Sequence, residues 1–508
     1  MPLLITLLVT LLAVTPVRAE APAVLTFLGA ARTVGGSALL LETERSKILI
    51  DFGLVIDGEN TGGNAVLSFD PAAIDYVILT HAHSDHAGRI PLLYRRGFRG
   101  RVIGTAATKS LINLTLAAGL TYGDGNGDDL FGPPDVEAVM RNYLSLPYER
   151  RHKLNGEVSI RLQDAGHILG SAMVELWVGE GNNCVKIVFT GDMGNKGIPL
   201  LREPAVLTEG DFIVIEATYG TVWRETAGQE EAFARELSST LAAGGSVLIP
   251  AFTLDRTQKV LFTLGRLKRR GLIPATTPVF ADSSLGRKIT RAYRRHGNYL
   301  HPDRQREMNA GRDPFRFEGL QEVNGATALQ AHAEIRGAIY VTSSGMLEHG
   351  NAPRHLEKMA ADPKNLLAIV GWQAPNTLGA ALLAGRRRVA IPLREPQGDS
   401  GALPRKETDI RMRVKRFEMF SNHADACQLL TWLARFPRTK QVFVIHGDSD
   451  NTRRLAAMIV KNLGFPAVAP EHGQRFFLNP GLADHRRRSG AAPCAGLKKT
   501  TGSEDKDE

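Results

Sequence analysis

The sequence predicts a layered α/β protein with a second α/β unit spliced into it, and three observations carry that reading. Short apolar runs, of a length suited to strands buried on both faces, recur before about residue 220 and again near residue 442. Each of these runs ends in an ionisable residue beside a turn. Between about Thr221 and Ser400 the texture changes to helical stretches alternating with separate short strands. At 508 residues the chain exceeds what one hydrophobic core usually supports, so two or more domains are expected.

The first run, Lys47 to Ile50, leads to Asp51. The second, Val77 to Leu79, leads to Thr80 and then to His81-Ala82-His83-Ser84-Asp85-His86, three imidazoles and a carboxylate in six consecutive positions. Imidazole nitrogens and carboxylate oxygens are the ligands a borderline cation such as Zn²⁺ accepts. His81 and His83 are two apart, so on an extended segment they project to one side, whereas Asp85 and His86 follow where the chain must turn. Two directions can serve two ions, and further ligands elsewhere would favour a dinuclear catalytic centre over a closed structural one.

Val158 to Leu162 reads as a strand, followed by a glycine-flanked turn, Ala165 to Ser171, that carries His167. Glycines on both sides let backbone pass close to a bound ion. Met173 to Val178 resumes the strand pattern. Ile187 to Gly191 then leads to Asp192, Phe212 to Ile215 to Glu216, and Val442 to Ile445 to His446. In layered α/β proteins the carboxyl ends of such strands converge on one rim, where sites sit.

Within the inserted stretch, Glu230 to Leu241 and Asp255 to Arg270 read as helices. Ser246 to Pro250, Pro278 to Asp282, Ala338 to Thr342 and Leu366 to Val370 read as strands. Two of these strands end in small, glycine-containing loops, Ser343-Ser344-Gly345-Met346 and Gly371-Trp372-Gln373, suited to holding phosphate oxygens through backbone N–H groups.

The formal charge is +9, with arginines clustered at Arg266 to Arg270, Arg291 to Arg295 and Arg386 to Arg388. A polyanionic partner fits these clusters; solvated helix faces are the competing reading. The three cysteines are scattered and odd in number, which predicts no disulfide framework, and none stands in a C-x-x-C pair. Residues 1–19, an apolar stretch ending Val17-Arg18-Ala19, read as a signal peptide, which places the chain in the periplasm or outside the cell with no stable membrane association after cleavage. A mis-assigned start would instead leave it cytoplasmic. The tail 481–508 lacks apolar periodicity and is expected to be disordered.

Thr80 to Gly88 (THAHSDHAG), Gly166 to Ser171 (GHILGS), Thr190 to Asp192 (TGD), Glu216 to Gly220 (EATYG), Phe420 to Asp425 (FSNHAD) and His446-Gly447 occur in an order that resembles the metallo-β-lactamase fold in its β-CASP branch. That branch includes RNA-processing nucleases similar to the endonuclease subunit of the mRNA cleavage and polyadenylation machinery. The resemblance implies an αββα sandwich over 23–220 and 401–480, with a β-CASP insertion over 221–400. It implies two zinc ions, one on His81, His83 and His167, the other on Asp85, His86 and His446, with Asp192 bridging. Asp51 would orient nearby ligands. Asp85, Glu216 and His423 would be the catalytic side chains: Glu216 orients His423 as the acid that protonates the leaving group. Ser343, Ser344 and Gly345 match a loop near the substrate path. Asn422 departs from the small residue usual at its position, which would alter packing around His423.

The activity implied is zinc-dependent phosphodiester hydrolysis by a dizinc-bound hydroxide, on RNA or other single-stranded nucleic acid, in endonucleolytic or 5′ exonucleolytic mode or both. A homodimer is left open. The alternative is hydrolysis of a small ester, lactone or other non-nucleic-acid substrate at the same metals, against which the insertion, Glu216 and His423 all argue.

Overall fold

The computed structural model describes residues 23–55, 63–122, 130–196, 199–323, 335–392, 404–488, 490 and 492–500. The expected signal peptide and the junction at residue 400 lie outside the described residues. None of the described helices is long and apolar enough to cross a membrane.

Two seven-stranded sheets face each other. In the first the order is Arg475–Leu478, Ala23–Phe27, Leu39–Glu42, Lys47–Ile50, Tyr76–Ile78, Arg101–Gly104 and Tyr143–Ser145. In the second it is Ala467–Val468, Gln441–Ile445, Phe212–Glu216, Val185–Phe189, Ala172–Val178, Val158–Asp164 and Arg151–Lys153. Alternate residues such as Leu25, Phe27, Ile48 and Ile50 meet Leu176, Ile187, Phe189 and Val214 between the sheets. The outer faces are covered as well. Leu49, Val77 and Leu79 lie under helices Ile90–Arg95 and Ala106–Tyr122, and Val188, Ile213 and Val444 lie under Ala426–Leu433 and Ser449–Met458. Burial on both faces is why these strands read as continuous apolar runs.

Register sets where the site forms. Lys47–Ile50 runs parallel to Tyr76–Ile78, and Phe212–Glu216 runs parallel to both Val185–Phe189 and Gln441–Ile445. The residues that follow these strands therefore gather at one rim. The chain closes on itself where Ala23–Phe27 pairs antiparallel with Arg475–Leu478, Ala23 opposite Leu478.

The inserted unit is a six-stranded parallel sheet in the order Leu320–Glu322, Val279–Asp282, Ile339–Thr342, Val247–Pro250, Leu366–Ile369 and Arg413–Arg416. Its last strand corrects the boundary expected at residue 400, because Leu366 pairs with Arg413 and the insertion continues to Arg416. Arg-Val-Lys-Arg is an exposed edge strand with no apolar signal, so patterning does not reveal it. Phe417 and Phe420 still pack in the inserted core, whereas Ala424 packs in the sandwich. Ser421-Asn422-His423 is thus the crossover between the two.

The tail differs from its expectation. Of 481–508, the described residues fold back on the sandwich: His485–Arg486 pairs with Arg438–Thr439, Asp484 meets Arg438 at 2.9 Å and Lys440 at 3.1 Å, and Arg488 N–H donates to the Leu463 carbonyl. Cys494 forms a disulfide with Cys427 across a separation of 67 residues, a pairing that the scattered, odd-numbered cysteines did not reveal. Backbone pairing and a crosslink hold this segment in place of an apolar face, so periodicity carries no trace of it.

Candidate functional site

Two of the rim residues have left-handed backbone, Asp51 at φ 58° and His446 at φ 52°. Non-glycine residues rarely adopt it, and it turns each side chain off its strand into the rim. Gly191, at φ 51°, precedes Asp192; a Cβ there would meet the Thr80 side chain at 2.8 Å.

Seven residues singled out from the sequence converge in two groups. His81 Nε2 and His167 Nε2 each lie 3.1 Å from His83 Nδ1. His86 Nε2 lies 3.0 Å from His446 Nε2, which lies 3.4 Å from Asp85 Oδ2. Asp192 stands between them. Its Oδ2 is 3.4 Å from His81 and 3.5 Å from His167, while its Oδ1 is 3.4 Å from His86 and 3.6 Å from His446 Nδ1. One carboxylate thus presents an oxygen to each group.

The donor set fits zinc on three counts. With Zn–N bonds of about 2.0–2.1 Å, tetrahedral neighbours sit about 3.3 Å apart, close to these separations. Asp192 Oδ1 is buried without a hydrogen-bond donor, a costly state that a cation relieves. The other ring nitrogens are already engaged by oxygens: His81 Nδ1 by Thr80 Oγ1 (3.0 Å), His86 Nδ1 by Asp51 Oδ2 (2.7 Å), His167 Nδ1 by the Asn422 carbonyl (3.1 Å) and His446 Nδ1 by Thr218 Oγ1 (3.1 Å). In each case the Nδ1–H donates and the Nε2 lone pair is left for a metal. Asp51 also accepts from Thr80 N–H and Oγ1, both at 2.8 Å.

Charge follows the same division. Burial holds the His81, His83 and His167 imidazoles below their ordinary pKa, the neutral form a metal needs. At His86 burial also acts downward, but Asp192 and Asp51 outweigh it and hold the ring well above its usual value; at His446 burial is likewise outweighed by Asp192 and Asp85, which raise its pKa. The carboxylates draw positive charge into this pair, and a divalent cation would supply it instead.

Beside the two groups stands His423, its ring 4.6 Å from that of His167. Its Nδ1 lies 3.2 Å from both oxygens of Glu216, which is buried and accepts N–H bonds from Met193 (2.7 Å) and Thr218 (3.2 Å). Held this way, the His423 ring has a fixed orientation, and its Nε2 forms no hydrogen bond among the described residues. Ser343 and Ser344 find their partners inside the inserted unit, Ser343 Oγ with Ser283 Oγ at 3.2 Å and Ser344 Oγ with His349 N–H at 3.2 Å. Gly345 packs against Phe252, and its carbonyl accepts from Gln373, whose side-chain amide also bonds the carbonyls of Gly371 and Trp372. The structure thus ties the two glycine-containing loops together, apart from the nitrogen groups.

Sequence reading missed Thr80, Thr218 and Lys259. Both threonines lie inside quoted motifs, and a search for hydrogen-bonding groups beside each ligand would have found them. Lys259 Nζ is buried 2.9 Å from Asn422 Oδ1, and only its place on the apolar side of a helix hinted at a role. The arginine clusters meet acids in part: Arg266 and Arg270 pair with Glu230 (3.2 and 2.6 Å), Arg294 with Asp313 (2.6 Å) and Arg388 with Glu407 (3.7 Å).

Comparison with known proteins accords with this geometry. Residues 31–143 match the metallo-beta-lactamase superfamily, 257–382 the Beta-Casp domain and 407–470 the Zn-dependent metallo-hydrolase RNA specificity domain. A ribonuclease of Thermus thermophilus is 35% identical over 85% of this chain and 94% of its own length. The transcription termination factor FttA of Pyrococcus abyssi is 33% identical over 88% of this chain and 70% of its own. A crystal structure of a protein of unknown function from Enterococcus faecalis aligns over 90% of this chain and all of its own, with a TM-score of 0.52 at 13% identity, a likeness of fold alone.

Proposed function

The chain belongs to the metallo-β-lactamase superfamily, in its β-CASP branch, and from that premise we propose that it is a metal-dependent ribonuclease working with two zinc ions. One ion would be held by His81, His83 and His167 and the other by Asp85, His86 and His446, with Asp192 shared. Bound there, the ions would supply the Lewis acidity that activates an attacking water and polarises the scissile phosphate.

The chain's own residues do the rest. Asp51, Thr80, Thr218 and the Asn422 carbonyl hold the ligand rings in place. His423 donates the proton that the departing ribose oxygen needs, since an alkoxide is a poor leaving group. Glu216, anchored by two backbone N–H groups, orients it.

The observation that carries this reading over small-molecule hydrolysis is the His423–Glu216 pair, set against the His167 ring yet outside both nitrogen groups. The relatives named ribonuclease and transcription termination factor support RNA as the substrate. Export is supported by the apolar N-terminal stretch and by the Cys427–Cys494 disulfide, a bond that persists in oxidising compartments. An exported ribonuclease would degrade RNA outside the cytoplasm.

The test is to purify the chain from Glu20 with zinc and offer labelled single-stranded RNA, single-stranded DNA and nitrocefin. RNA cleavage that chelation abolishes is the expected result. Turnover of nitrocefin with both nucleic acids left intact would overturn the reading.

A further inference from the structure

A cleft of about 160 Å³ opens between the sandwich and the inserted unit, walled among others by Tyr219, Arg224, Arg256, Trp372 and Arg416. It adjoins the candidate centre. The Tyr219 ring lies 6.0 Å from that of His423 and carries the Arg224 guanidinium 4.1 Å from its centroid. Arg224 donates from Nη2 to the His423 carbonyl at 2.7 Å.

Arg416 pairs with Glu418 at 3.3 Å, but neither Arg224 nor Arg256 forms an ion pair among the described residues, and each keeps a buried Nε without an acceptor. Arg224 is only 7% exposed. Arg256 donates to the Val370 carbonyl at 2.8 Å. Burial pushes its pKa down to about 10, while Tyr219 and Asp255 act upward and Arg224, a like charge nearby, acts downward. Glu418 on the same wall is engaged by Arg416, so two neighbouring guanidinium groups with no ion pair of their own among the described residues remain in the cleft, and an anion shared between them would supply one. Over the same cleft Trp372, on one of the loops expected to meet phosphate, is 47% exposed, rare for an indole with no role in packing.

We propose that this cleft is a nucleotide subsite on the leaving-group side of the cleaved phosphodiester, in which Arg224 and Arg256 hold a phosphate of the RNA strand and Trp372 stacks its base. The side follows from the reading above, on which this inference rests. His423 gives its proton to the leaving oxygen, and Arg224 grips the backbone of His423, so the departing strand runs toward Arg224. Paired guanidinium groups suit phosphate oxygens, and a half-exposed indole suits any base.

The experiment compares Arg256→Met, Arg256→Lys and Trp372→Ala with the parent, all zinc-loaded, on single-stranded RNA and on bis(p-nitrophenyl) phosphate. The second substrate has an aryl leaving group and no nucleotide to occupy the subsite. For Arg256→Met and Trp372→Ala the ratio of kcat/KM on RNA to that on the aryl ester should fall about tenfold, mostly through KM, with Arg256→Lys retaining part of it. For Arg256→Met the salt dependence of binding to a phosphorothioate RNA should also lose about 0.7 from its slope, one phosphate contact on a single strand. A ratio and slope equal to the parent's, or equal losses on both substrates, would overturn the subsite while leaving the nuclease intact. A parent that hydrolyses the aryl ester but neither binds nor cleaves RNA would overturn the nuclease reading and this inference together.

Discussion

Lys259 of the inserted unit donates from Nζ to Oδ1 of Asn422 at 2.9 Å, and the carbonyl of the same Asn422 receives the Nδ1–H of His167 at 3.1 Å. A buried cation in one sheet unit therefore fixes the crossover segment that positions a candidate ligand and, one residue later, His423. The position where Asn422 departs from the small residue expected there is thus one point at which the two units are tied together. Behind Lys259 stands Asp255, 3.0 Å away, which also accepts from the Tyr293 hydroxyl at 2.5 Å.

Because Lys259 and Asp255 are both buried, removing one leaves the other uncompensated. Lys259→Met should destabilise the protein by about 3–5 kcal/mol. The double variant Lys259→Met/Asp255→Asn should recover most of that loss. Chemical denaturation midpoints of the parent, both singles and the double would measure the coupling, and additive losses would show that the pair does not act as a unit.

The division between ligands and acid predicts two distinct failures. His423→Ala should slow RNA cleavage by roughly 10²- to 10⁴-fold while zinc per chain stays at the parent level. Asp192→Ala should lose metal as well as activity. Elemental analysis alongside single-turnover cleavage separates the cases, and equal metal loss in both would refute the assignment.

Cys427–Cys494 closes a long loop between the helix after His423 and the returning tail. Chain-entropy arguments give such a crosslink about 4 kcal/mol. Cys494→Ser should lower the melting temperature, and a reductant should lower that of the parent but not of the variant. Alkylation of the unreduced, denatured protein should label Cys184 alone.

Asp164 Oδ1 accepts from Gly166 N–H at 2.9 Å, in the turn that carries His167. Burial pushes its pKa up from 3.8 to about 7. The folded state then holds a proton that the unfolded chain has released, so stability falls as pH rises from about 4 to about 7. Asp164→Asn, which keeps the acceptor, should remove that part of the slope in melting temperature against pH. An unchanged profile would contradict the assignment.

Much of this site was legible because its chemistry is concentrated. His81 to His86 are contiguous, and Asp51, Asp192, Glu216 and His446 each follow an apolar run that marks a buried strand. The sandwich was legible for the same reason, since strands covered on both faces leave continuous apolar runs. Arg413–Arg416 was not, because an exposed edge strand needs no apolar residues. The tail was not, because its order comes from backbone bonds and Cys494. Lys259 and Arg224 escaped because a buried cation looks like any helix-face or loop cation until its partners are placed.

If one carboxylate, Asp192, serves two metal positions, the two should fill and act together. Titrating zinc into metal-stripped protein, with bound metal and RNA cleavage followed together, tests it most directly. Two zincs per chain are expected, with cleavage reaching its full rate only as the second position fills. Full activity with a single bound zinc, or a chain that binds only one, would contradict it.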